Sequence, residues 1–146
     1  YDVYTCADGR YVAVAPIEPK FYAELLERCG LEQRAFEPQM DARRWPMLKL
    51  KLADVFRTRT RDQWCAILEG TDACFAPVLD WDEAPLHPHN RARNTFVDAG
   101  GYTQPAPAPR FSRTPSDTPD APSAPLKDPA RVLAEWGLPD APIRYL

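Results

Sequence analysis

The chain has 146 residues, 45% of them apolar and 27% charged, with a net charge of −3. That length suits one ordinary core, and the balance suits a folded globular protein rather than a disordered one. Lysine and arginine form no run or stripe, which argues against nucleic acid as a partner, and no apolar run approaches the ~20 residues needed to span a bilayer.

The opening residues read as β structure. Val3 to Cys6 and Tyr11 to Ala15 are two β-rich runs, and Ala7-Asp8-Gly9-Arg10 joins them. Asp-Gly between such runs is a strong hairpin signal. The second run ends in Pro16-Ile17-Glu18-Pro19. Two prolines fix φ on either side of the acid, so Glu18 is expected at a strand-to-helix elbow. From Pro19 to Cys29, Phe21, Leu25, Leu26 and Cys29 recur at helical spacing, and Gly30 suits the cap. Glu32 to Ala42 is polar and irregular and reads as a loop.

Arg44 to Arg57 predicts a second helix, with Trp45, Leu48, Leu52, Val55 and Phe56 on one face. Thr60 is placed to cap a third, Arg61 to Glu69, which Gly70 ends. Cys74 to Leu79 reads as a short apolar strand, and Pro77 confines it to an edge. Asp80 to Leu86 suits one or two helical turns, His87 to Arg93 a turn or short helix, and Thr95 to Asp98 a strand before Gly100-Gly101. Eight prolines between 105 and 129 exclude helix and central strand, leaving an extended arm with at most one edge strand near Arg110-Phe111-Ser112. A last helix is expected from Asp128 or Pro129 through Trp136. The fold class is α+β: a small antiparallel sheet, helices packed on one side, and the proline-rich C-terminal arm. The divisions read as 1–104 for the α+β domain, 105–129 for the arm and 130–146 for the helix and tail.

Few residues suggest chemistry on their own. Cys6, Cys29, Cys65 and Cys74 make no CxxC pair and have no zinc spacing, so they read as free thiols of a reducing cytosol, and the expected location is cytoplasmic. His87 and His89, the two histidines, stand two apart in a Pro-bearing turn and do not share a helix face. Asp80, Asp82 and Glu83 read as a helix start rather than a metal site. No metal is expected, and no phosphate loop or nucleophile motif is present. Glu18 could act as a base or could orient a histidine by accepting its second ring N–H. The plainer reading is a surface acid at a helix N-terminus, favoured by the dipole by ~0.3–1 kcal/mol.

The order of segments resembles a known family. Tyr1-Asp-Val-Tyr-Thr-Cys-Ala-Asp-Gly-Arg-Tyr-Val-Ala-Val-Ala, then the elbow and helix, resembles the strand pair that opens the small domain of family III CoA-transferases and α-methylacyl-CoA racemases. Asp72-Ala-Cys-Phe-Ala-Pro-Val-Leu-Asp-Trp-Asp-Glu-Ala, His87-Pro-His-Asn-Arg-Ala-Arg-Asn-Thr-Phe and Pro107-Ala-Pro-Arg-Phe-Ser-Arg-Thr-Pro resemble the blocks that follow, in the family's order. Ile17-Glu18-Pro19 points to the racemase branch, where the equivalent Glu pairs with a catalytic His.

The resemblance implies catalysis by 1,1-proton transfer on a 2-methylacyl-CoA, with Glu18 as this chain's catalytic contribution and Tyr1 and Ile17 lining the acyl (substrate-binding) pocket. It implies no metal or organic cofactor, CoA being part of the substrate. It also implies an interlocked homodimer in which the catalytic His and Asp come from a large CoA-binding domain. His87 and His89 do not match that His. The chain therefore reads as a small domain cut from a longer protein, inactive alone. CoA transfer within the same family and a non-catalytic interaction module, with Trp81, Phe96 and Tyr102 on its surface, are the alternatives.

Overall fold

In a computed structural model the described residues are 1–121, together with Leu133, Glu135, Trp136 and Gly137. They fall into two compact units, Tyr1–Glu83 and Ala84–Leu146. The sequence-based division at 104/105 falls within a strand of the second unit.

The first unit opens with β1 (Asp2–Thr5) and β2 (Tyr11–Val14), paired antiparallel with Tyr4 opposite Val12. The turn between them is the expected Asp-Gly one. Gly9 sits at φ +76°, a conformation that favours glycine, and its N–H bonds the Cys6 carbonyl. Helix α1 (Pro19–Arg28) follows, with proline in its first turn. It closes in a Schellman motif: the Gly30 N–H reaches the Glu27 carbonyl, and the Leu31 N–H reaches that of Leu26.

Helices α2 (Trp45–Phe56) and α3 (Arg61–Leu68) come next. The Thr60 hydroxyl accepts from the Gln63 N–H while the Gln63 side chain accepts from the Thr60 N–H, a complete capping box. Strand β3 (Phe75–Pro77) pairs with β2, giving the order β1-β2-β3. Pro77 therefore lies on an edge strand, where a missing N–H costs no ladder bond. The strand starts one residue later than the sequence pattern indicates, because Cys74 turns to φ 50°.

Helices cover one face of this sheet. Tyr4, Val12 and Val14 point into a core shared with Leu25, Leu26, Leu48, Phe56, Trp64 and Leu68, while Val3 and Tyr11 on the other face are about half exposed. The centre is aromatic. Phe56 stacks on Tyr4 at 5.1 Å and meets Trp64 edge-on at 5.1 Å, and the Trp64 indole N–H donates to the Phe56 carbonyl at 2.9 Å. Burial pushes the Tyr4 hydroxyl up to about 12. The stretch read as loop contains a 3-10 turn, Gln33–Phe36, whose Phe36 is 1% exposed and completes the core.

The second unit carries a short helix α4 (Pro88–Ala92) and a hairpin of β4 (Phe96–Ala99) and β5 (Tyr102–Pro105) around Gly100-Gly101. Its second strand therefore lies at Tyr102–Pro105 and not near Arg110–Ser112, which has no regular structure. Residues 106–121 of the arm form neither helix nor strand. The start of the expected last helix lies outside the described residues; Leu133 and Glu135 are helical. No helix of the described residues is long and apolar enough to cross a membrane.

Candidate functional site

The elbow at residues 16–19 lies where β2 ends and α1 begins, and backbone chemistry fixes it from both sides. Glu18 is the N-cap of α1 at φ −68° and ψ 136°. Its carbonyl accepts the N–H groups of Phe21 and Tyr22, each at 3.0 Å. The carbonyl just before it, on Ile17, accepts the side-chain amide of Gln39 at 2.9 Å. Pro16 is buried and Pro19 holds the first helical φ.

The Glu18 side chain is treated differently. It is exposed and makes no helix-capping bond, and no hydrogen bond or ion pair ties it to another described residue. A carboxylate on a fixed backbone with both oxygens available can accept an N–H from a group brought to it.

Beside the elbow lies a cleft of about 310 Å³. Tyr1 and Ile17 line it together, with Tyr22, Met40, Trp45 and Leu48 among their neighbours. The structure thus brings two of the three sequence-predicted site residues into one cavity. Glu18, one residue beyond Ile17, is not part of its lining. Two polar groups around the cleft are tied down. The Trp45 indole N–H donates to the Gln39 carbonyl at 2.9 Å, and Lys49 pairs with Asp2, which holds the Asp2 carboxyl below its usual range. What faces the cavity is mainly aromatic and aliphatic, the surface an apolar chain prefers.

Met40 and Trp45 were not among the residues singled out from sequence. Met40 lies in the irregular 32–42 segment, which has no period to place it, and Trp45 reads equally well as helix core. His87 and His89 lie in the second unit. No group of three or more His, Cys, Asp or Glu able to hold a metal occurs among the described residues. Of the other aromatics considered as a surface, Trp81 and Tyr102 are exposed and Phe96 is half-buried. Burial pushes the Cys6 and Cys29 thiols up to about 11, so neither carries appreciable thiolate at neutral pH.

Residues 1–128 match the CoA-transferase family III profile. The chain belongs to CoA-transferase family III. Among its relatives is the alpha-methylacyl-CoA racemase of Mus musculus, 44% identical over the whole of this chain and 39% of the racemase. The alpha-methylacyl-CoA racemase of Homo sapiens is 42% identical over 80% of this chain and 31% of its own length. A crystal structure of Rv3272 from M. tuberculosis shares the fold, with a TM-score of 0.65 at 16% identity, over 82% of this chain and 36% of that one. The chain thus spans about a third to two fifths of the family members it matches.

Proposed function

We propose that this chain supplies the small domain of an α-methylacyl-CoA racemase-like enzyme. In this reading a base on a large CoA-binding domain removes the α-proton of a 2-methylacyl-CoA. The thioester carries the electron pair as an enolate, and an acid returns a proton to the opposite face. Glu18 accepts the second ring N–H of the large domain's histidine, fixing its tautomer and direction. Tyr1 and Ile17 hold the acyl chain. The chain alone is inactive, the enzyme is an interlocked cytoplasmic homodimer, and CoA enters with the substrate rather than as a cofactor.

One observation carries this reading. The backbone on either side of Glu18 is bonded, and no hydrogen bond or ion pair ties its side chain to another described residue, next to an apolar cleft that contains Tyr1 and Ile17. The family and its racemase-named relatives supply the reaction class.

The test is deuterium exchange at the α-carbon of a 2-methylacyl-CoA by the full-length protein. Exchange and epimerisation are expected, and Glu18→Gln should remove most of both. Unchanged exchange in that variant would refute the role of Glu18. An enzyme-bound thioester or mixed anhydride without α-exchange would move the assignment to CoA transfer, which the family's name keeps in view. Binding of neither acyl-CoA nor a large domain would point to a non-catalytic module.

A further inference from the structure

The Glu18 elbow is not held by the strand and helix alone. Two residues from a different part of the chain form a relay to it. Trp45 is the first residue of α2, and its indole N–H donates to the Gln39 carbonyl at 2.9 Å. The Gln39 side-chain amide then donates to the Ile17 carbonyl at 2.9 Å. A carbonyl can only accept, so the amide nitrogen must face it. The Ile17 carbonyl and the Glu18 N–H belong to one planar peptide unit, so fixing the first fixes the plane from which Glu18 departs.

Without Gln39, that plane would be limited by the preceding strand, the two proline rings and the first turn of α1, with no hydrogen bond to the Ile17 carbonyl itself. The neighbouring Arg44, whose guanidinium donates to the Ala35 carbonyl at 3.0 Å, ties the start of α2 to the same irregular segment. The 32–44 segment is thereby fastened at its end and delivers one donor to the elbow.

We propose that Gln39, held by Trp45, is a positioning residue for Glu18: it sets the direction of the carboxylate without touching substrate. This rests on the reading of Glu18 given above. The Gln39 side-chain donor is committed to the Ile17 carbonyl, so its action on the acid runs through the backbone.

The experiment uses the full-length enzyme with four variants: Gln39→Leu, Gln39→Glu, Glu18→Gln and the double variant Gln39→Leu/Glu18→Gln. Gln39→Glu keeps the size of the side chain but, ionised at neutral pH, has no donor. Both Gln39 variants should lower kcat by roughly 10- to 100-fold, the range expected when a catalytic group is displaced by about an ångström. KM should change by less than about threefold. In the Glu18→Gln background, Gln39→Leu should cost less than about twofold, since the two act as one unit. In protein selectively labelled with ¹⁵N at Glu and Trp, the Glu18 amide signal should move in Gln39→Leu, while the Trp45 indole, whose acceptor is the Gln39 main-chain carbonyl, keeps its bond.

Independent, multiplying effects of the two changes on kcat would overturn the proposal. So would a kcat loss in the Gln39 variants that merely follows the fraction of unfolded protein, or an unmoved Glu18 signal. If wild-type enzyme shows no α-exchange, the reading of Glu18 itself has failed; the Glu18 signal then still decides whether the relay exists.

Discussion

Helices α1 and α3 begin in opposite ways. The N-terminus of α3 is satisfied several times over. Thr60 and Gln63 form the capping box, and the Asp8 carboxylate accepts the Arg61 N–H at 3.2 Å. The Arg61 side chain, 6% exposed, then grips Glu83 through two bonds of 2.8 and 2.6 Å and the Val78 carbonyl through a third of 2.9 Å. Arg10 reaches the same glutamate at 3.0 Å. At the start of α1, Glu18 occupies the N-cap, a position that prefers Ser, Thr, Asp or Asn, and its side chain caps nothing. One helix start is built for stability. The other gives up a capping bond and leaves its acid exposed. The α2 start, with Arg44 at its N-cap, also lacks a side-chain cap, so what singles out the α1 start is an exposed acid beside the cleft, and that acid is the one to test for function.

The largest expected effect lies at that elbow. Glu18→Gln in the full-length enzyme should lower α-proton exchange by roughly 10²–10⁴-fold, the usual range for a group serving proton transfer. Unfolding free energy should shift by less than about 0.5 kcal/mol, as for other exposed sites. Parallel exchange and denaturation curves check both halves. A stability loss matching the activity loss would erase the contrast between the two helix starts.

Next comes the Arg61 cluster, with the opposite signature. Arg61→Ala removes a buried guanidinium and its bonds to Glu83 and Val78 while leaving Glu83 partly exposed and still paired with Arg10, and should destabilise the unit by roughly 1–3 kcal/mol, read from urea unfolding. Its companion is a pH effect. The Arg61 guanidinium, helped by the Asp80 N–H, holds the Glu83 carboxyl down to about 2. The folded value lies below the unfolded one, so the contribution is complete above about pH 4.5 and is lost as pH falls through about 2. Thermal midpoints measured from pH 6 to pH 2 should fall across that window. Glu83→Gln should remove this part of the slope, and an unchanged slope would show that the pair contributes little.

The same two regions show how far the sequence could be read. The α3 start was legible because Thr60 and the glycines are local signals: capping and φ > 0 depend on a few adjacent residues. The α+β class, the first hairpin and the three long helices followed from periodicity for the same reason. The Arg61–Glu83 pairing was not legible, because its residues lie 22 apart and no period links them. Glu83 appeared as part of a helix-start acid cluster, and its place as the partner of a buried arginine emerged only in three dimensions. The elbow lies between these cases. Pro16 and Pro19 announced a fixed turn and drew attention to Glu18. The cleft beside it depends on Met40 and Trp45, brought there by an irregular segment whose order comes from Phe36 burial and the Gln39 relay. The β4–β5 hairpin illustrates a smaller limit. Gly100-Gly101 marked the turn, but the proline at position 105 drew the boundary of the arm too early, since a strand can end on a proline.

Thr60→Ala offers a more modest measurement on the stable side of the comparison. It removes the hydroxyl that accepts the Gln63 N–H, while the Thr60 main-chain N–H can still donate to the Gln63 side chain. A loss of roughly 1 kcal/mol is expected, seen as a lower urea midpoint at unchanged slope. No change would mean that Asp8 alone suffices to hold the first turn.

The smallest effect separates the two helix starts most cleanly, because its sign is unusual. The Glu18 backbone already has the extended φ and ψ of an N-cap, and Pro19 already occupies the first helical position. Glu18→Ser should therefore place a hydroxyl within reach of the Lys20 N–H of the first turn without moving the backbone. A gain of roughly 0.5–1 kcal/mol in stability is expected, together with a loss of α-proton exchange as deep as that of Glu18→Gln. A merely decorative surface acid would allow the gain in stability with activity intact. An acid needed to hold the fold would show a loss of stability instead. Only a carboxylate kept at this elbow for what it reaches outside its own chain gives a more stable and less active protein from one substitution.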